Sequence, residues 1–92
     1  MTTLRRSIWS VGPAQHYRVA KRFEVSSRAL GKRIKELRLE RGWSQEHLAS
    51  EAGMHRTYMW GIERGVRNPS LRHLTCIADA LGVTIAILFA GV

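Results

Sequence analysis

Two short runs of helical spacing, broken by a single glycine, constrain this chain more than any other feature. In residues 44–52, SQEHLASEA, Leu48, Ala49 and Ala52 fall on one helical face. Ser44 stands where its hydroxyl can accept from the free N–H groups of an opening turn. Gly53 follows, the residue type best able to take the left-handed conformation that ends a helix. The spacing resumes over residues 55–64, where Met59 and Ile62 mark an inward side. Ala49 is small where the two predicted helices cross, which permits close approach.

Two short helices meeting at a tight corner form the layout of a helix-turn-helix, whose second helix can be carried into the DNA major groove. The segments LGKRIKELRLERGWSQEHLASEAG, IERG, RNPSL and IADALGV extend the pattern in order along the chain. With these motifs the chain resembles the Cro/cI-type (XRE) helix-turn-helix domains, the DNA-binding fold of phage repressors. The likeness runs from about Leu30 to Phe89, roughly two-thirds of the sequence. It implies an all-α fold, a five-helix lambda-repressor-like bundle containing the helix-turn-helix.

Periodicity supplies the other helices. Ser27 is placed to cap a first helix through Leu30, Ile34 and Leu37 to Arg41, closed by Gly42, with Trp43 packing down after it. Ser70 is placed to cap a fourth, with Leu71, Leu74, Ile77, Ala78 and Leu81 inward and Gly82 at its end. Thr84 opens a last turn over residues 85–89. The expected organisation is therefore a DNA-binding domain over residues 28–92, preceded by a weakly structured basic N-terminal arm over residues 1–27.

Of the fifteen Lys and Arg residues, Arg5, Arg6, Arg18, Lys21, Arg22 and Arg28 lie in or beside that arm, against one acid, Glu24. Tyr17, Val19, Phe23 and Val25 alternate with Arg18, Ala20, Arg22 and Glu24, the pattern of a strand. A mobile basic arm fits the composition equally. Such an arm could track phosphates, reach into a minor groove, or remain a solvated tail.

The formal net charge of +8 over 92 residues points to an acidic partner, first of all double-stranded DNA. A single cysteine, Cys76, excludes an internal disulfide and suits a reducing cytoplasm; its spacing reads as a small core residue. No signal peptide is evident. The uncharged run over residues 80–92 falls short of the roughly 20 residues that span a bilayer, so no membrane association is expected.

Base reading falls to the side of the second motif helix opposite Met59 and Ile62, which presents His55, Arg56, Thr57 and Trp60. Arg56 suits a bidentate contact to guanine, or a phosphate; Thr57 suits a base edge or a thymine methyl. His55 also suits a helix cap. Trp60 could stack against sugar or a thymine methyl, or fold back over the helix. The resemblance implies phosphate contacts at Gln45, Arg64, Arg67 and Asn68, and a structural ion pair between Arg38 and Glu63. It also implies dimerisation through the last helix, for which Ile85, Ile87, Leu88, Phe89 and Val92 supply an apolar surface. Trp60 and Gly61 depart from the family's usual choices, a small or polar residue and a base-reading side chain.

No catalytic constellation, cofactor loop or metal-ligand spacing is found among the four histidines and the cysteine. The expected function is sequence-specific transcriptional regulation by a homodimer on an inverted-repeat operator. The alternative is an antitoxin-like or other protein-interaction module, with DNA contact secondary.

Overall fold

The computed structural model describes the backbone of residues 13–92 and the side chains from Ser27 onward. Five helices follow in order among them: α1 (Pro13–Glu40), α2 (Gln45–Glu51), α3 (Arg56–Glu63), α4 (Leu71–Leu81) and α5 (Ile85–Leu88). Residues 1–12 of the expected arm lie outside the described residues.

The first helix does not begin at Ser27. It is continuous from Pro13 through 28 residues, and the alternating residues 17–25 lie in helix, not strand. Proline suits the first helical turn, where its missing N–H has no intrahelical partner to lose. Residues 14–30 contain no further proline or glycine. Once the packed turns downstream exist, each added residue gains a hydrogen bond without a new nucleation cost.

The core joins all five helices. Leu30, Ile34 and Leu37 come from α1, Leu48 and Ala49 from α2 with Ala52 at its end, and Met59 and Ile62 from α3. Ile77, Ala78 and Leu81 come from α4 and Leu88 from α5. Trp43 packs against this cluster from its edge, with the Arg41 guanidinium 4.8 Å from the ring centre and the His47 ring edge-on at 4.6 Å. Leu71, expected inward, is exposed. It opens α4, which packs on α2 and α5, and the buried residues of that helix, Ile77, Ala78 and Leu81, all lie in its later turns. Cys76 is only partly buried at the core's margin.

Gly31 sets the crossing of α1 on α3. A Cβ built there would lie 2.6 Å from the Glu63 carbonyl oxygen and closer still to that of Ile62. Only a residue without a side chain lets the two backbones meet so closely.

Candidate nucleic-acid interface

The corner between α2 and α3 is built from local chemistry. Ser44 Oγ accepts from the His47 N–H at 3.0 Å and starts α2. Gly53, with φ +67°, ends it. The Gly53 N–H donates to Ser50 O and the Met54 N–H to Ala49 O, at 3.1 and 2.8 Å. This pair of bonds satisfies carbonyls the helix would otherwise leave free and turns the chain sharply. His55 then caps α3, its Nδ1 accepting from the Thr57 N–H at 3.1 Å. That atom is committed to the fold, so the base-contact role expected of His55 is restricted to the rest of its exposed ring.

With Met59 and Ile62 buried, α3 turns Arg56, Thr57, Trp60 and Arg64 outward. Ser44, Gln45, Glu46, Arg56, Thr57 and Trp60 line one cleft of about 410 Å³ between the starts of α2 and α3. Arg56 Nη1 lies 3.7 Å from Glu46 Oε2, and both side chains are largely exposed. Such a pair contributes little and releases Arg56 readily to a stronger acceptor. At the other end of α3 the Arg64 guanidinium lies over the Trp60 ring at 4.8 Å.

Beneath this surface Arg38 and Glu63 form a two-pronged contact. Arg38 Nε donates to Glu63 Oε2 at 2.8 Å and Nη2 to Oε1 at 2.9 Å. Nη1 of Arg38 donates to the Trp43 carbonyl at 2.9 Å. Both residues are buried, so removal of either leaves an uncompensated charge. Gln45 Nε2 joins them, donating to Glu63 Oε1 at 3.1 Å. This turns the Gln45 side-chain donor inward, away from the phosphate contact expected of it. The carboxylate has lone pairs to fill, and Gln45 is the neighbour that fills one. The ion pair therefore links α1, the start of α2 and the end of α3.

The loop after α3 is held by two residues the sequence left without a structural role. Gly61 is buried and its carbonyl accepts from the Val66 and Arg67 N–H groups at 3.0 and 3.1 Å. A Cβ at Gly61 would collide with Arg67 Cγ and lie 3.3 Å from Arg67 Cβ. The glycine thus makes room for the chain's own Arg67. Tyr58 places its hydroxyl 3.5 Å from the Asn68 carbonyl and its ring edge-on to His73 at 4.9 Å. An aromatic with a polar tip on α3, ten residues before Asn68, is the signal the sequence offers for it. Arg64, Arg67 and Asn68 are all exposed here. Gly61→Ala is expected to displace Arg67 and weaken DNA affinity. A helix-propensity gain of about 1 kcal/mol works the other way on stability. Paired melting and DNA-affinity measurements on the variant separate the two effects.

The C-terminal surface differs from expectation at one position. Ile85, Ile87, Phe89 and Val92 are exposed, but Leu88 is fully buried in the protomer's own core and drops out of the apolar face. Only one side of a single-turn helix can face inward, and Leu88 occupies it. Arg33 Nη2 and Nε donate to the Ile87 carbonyl at 3.1 and 3.3 Å, tying this turn to α1. No helix among the described residues is long and apolar enough to cross a membrane.

Residues 34–88 match the family model described as Helix-turn-helix. The chain belongs to the XRE-type helix-turn-helix family. Members of this family are DNA-binding transcriptional regulators. Control protein C.BamHI of Bacillus amyloliquefaciens is 48% identical over 54 residues, covering 58% of this chain and 67% of that protein. The crystal structure of the restriction–modification controller protein C.AhdI from Aeromonas hydrophila superposes with a TM-score of 0.69 at 41% identity, covering 70% of this chain and 97% of that one. The controller protein C.Esp1396I has been solved as a tetramer in complex with its natural 35 base-pair operator. It is 37% identical with a TM-score of 0.66, covering 71% of this chain and 86% of that one. Single variants of C.Esp1396I have also been solved, at a consecutive arginine, threonine and tyrosine.

Proposed function

We propose that this XRE-type regulator acts in the cytoplasm as a homodimer on an inverted-repeat operator, with α3 in the major groove. The observation that carries the reading is the exposed first turn of α3. Arg56 and Thr57 stand outward there, on a helix whose opposite side is fully buried and whose far end is fixed by the Arg38–Glu63 pair. A side chain reads a base edge only if its helix cannot roll, and this one is held from both ends. Arg56-Thr57-Tyr58 is also the tripeptide that matches, residue type by residue type, the three positions varied in C.Esp1396I.

In this reading Arg56 leaves Glu46 to form a bidentate contact with guanine, and Thr57 touches the neighbouring base pair. Arg64, Arg67 and Asn68 hold phosphates on the far side of the groove, and the backbone N–H of Gln45 holds one on the near side. The exposed Ile85, Ile87, Phe89 and Val92 supply the apolar surface for a second copy. Two copies would set their α3 helices about 34 Å apart, one turn of DNA. The same apolar face supports the alternative, docking of a different protein, in which case DNA affinity would be weak and erased by salt.

The test compares two arginines. Arg56→Ala is expected to cost about 5- to 150-fold in affinity and to relax preference at one base pair. Arg67→Ala is expected to weaken all sequences alike and to reduce the slope of log affinity against log salt by about one. Titration of both variants against operator and scrambled duplexes at several salt concentrations separates these outcomes. Equal loss on both duplexes for Arg56→Ala would remove it from base reading.

A further inference from the structure

The outward stripe of α3 carries one apolar group among charged and polar ones. Trp60 is 48% exposed. It stands one turn after Arg56 and one turn before Arg64, and it forms a wall of the cleft shared with Gln45, Arg56 and Thr57. The core is closed without it: Met59 and Ile62 on either side are buried, and Gly61 is covered by Arg67. The Arg64 guanidinium stacks on the indole at 4.8 Å and favours this orientation of the ring. A large apolar ring kept at the mouth of a polar cleft matches a target that also has an apolar point. In the major groove the base edges offer donors, acceptors and one apolar substituent, the methyl group on C5 of thymine. A 5-methylcytosine carries the same group.

We infer that Trp60 is a specificity residue that takes the C5-methyl group of a pyrimidine in each half-site. Arg64 stacking biases the ring toward this position, and Arg56 reads a base pair close by. At 1.5 Å per residue, four residues of α3 span about 6 Å along the helix axis. Base pairs stack about 3.4 Å apart, so the two side chains reach positions one or two steps apart. The inference rests on the operator-binding reading, because it requires α3 in the major groove.

The experiment uses the full chain and an operator selected from random duplexes. Each thymine is replaced singly by deoxyuridine, which deletes only the methyl group, and affinity is measured by fluorescence anisotropy for the wild type and Trp60→Ala. One position per half-site is expected to lose about three- to fivefold with the wild type, the scale of one buried methyl group. Trp60→Ala is expected to bind the thymine and deoxyuridine duplexes equally there. A further arm places cytosine or 5-methylcytosine, paired with guanine, at the same position. Tighter binding of the thymine duplex identifies thymine as the target, and tighter binding of the 5-methylcytosine duplex identifies the methylated base. A wild type indifferent to methyl groups at every position would overturn the inference while leaving operator binding intact. So would a Trp60→Ala variant that keeps the full preference. Failure of the selection to yield any common site would overturn the operator reading and this inference together.

Discussion

Glu63→Ala is expected to destabilise the domain by about 3–5 kcal/mol. The substitution leaves the guanidinium of Arg38, a residue only 7% exposed, with only the Trp43 carbonyl, and deprives Gln45 Nε2 of its acceptor. Against the roughly 5–15 kcal/mol that hold a small domain together, a loss of that size takes much of the folded population at physiological temperature. Thermal denaturation of the variant measures it directly. A second experiment separates stability from positioning. Replacing both partners by apolar residues, Arg38→Met with Glu63→Leu, removes the buried charges together, and such exchanges are often neutral in stability. The doubly substituted domain is expected to melt near the wild type and to bind operator more weakly, because the polar link that orients the far end of α3 is then lost. Unchanged melting and unchanged operator affinity in Glu63→Ala would refute both roles of the pair.

Gly31→Ala is the second large effect, and its sign is opposite to what helix propensity alone gives. Alanine in a helix interior is favoured over glycine by about 1 kcal/mol. At Gly31 the new Cβ would press on the carbonyls of Ile62 and Glu63. These are backbone atoms at the end of α3 and cannot rotate aside, so the helices must separate. Overpacking of this kind costs about 1–3 kcal/mol, at times more. Set against the propensity gain, the net loss reaches about 2 kcal/mol, which would lower Tm by roughly 8–16 °C in a domain of this size. Because α1 would push directly on the base of the reading helix, operator affinity should fall further than the stability loss accounts for. A variant that melts higher than the wild type would show that the crossing yields more easily than its geometry indicates.

What could be read from the sequence was what is decided within a few residues. Ser44, Ser70 and Thr84 all accept from the N–H three positions on, and Gly53 takes the left-handed conformation. Capping and helix termination need no partner from elsewhere in the chain. The resemblance supplied Arg38 and Glu63, a pairing across 25 positions that no local pattern reveals. What stayed hidden depends on how elements cross. Gly31 looks like a weak point in a helix until the backbone of α3 is laid against it. Gly61 looks like a missing base reader until Arg67 is seen to fill its side. The burial of Leu88 could not be told from the exposure of Ile87, because Ile85, Ala86, Ile87 and Leu88 are all apolar and periodicity has nothing to act on. The start of α1 escapes local pattern for a related reason: Ser27 is a good cap residue, but residues 14–26 hold no proline or glycine to stop the helix extending upstream.

The most direct measurement is a nuclease protection experiment on the DNA immediately upstream of this chain's own coding sequence, with excess nonspecific DNA present. Small regulators of this kind often act on their own promoter. Operator binding predicts one protected inverted repeat whose half-site centres lie about one DNA turn apart, surviving the competitor and lost with Arg56→Ala. Protection that disappears into the competitor, or that persists unchanged in Arg56→Ala, would contradict the placement of α3 against base edges.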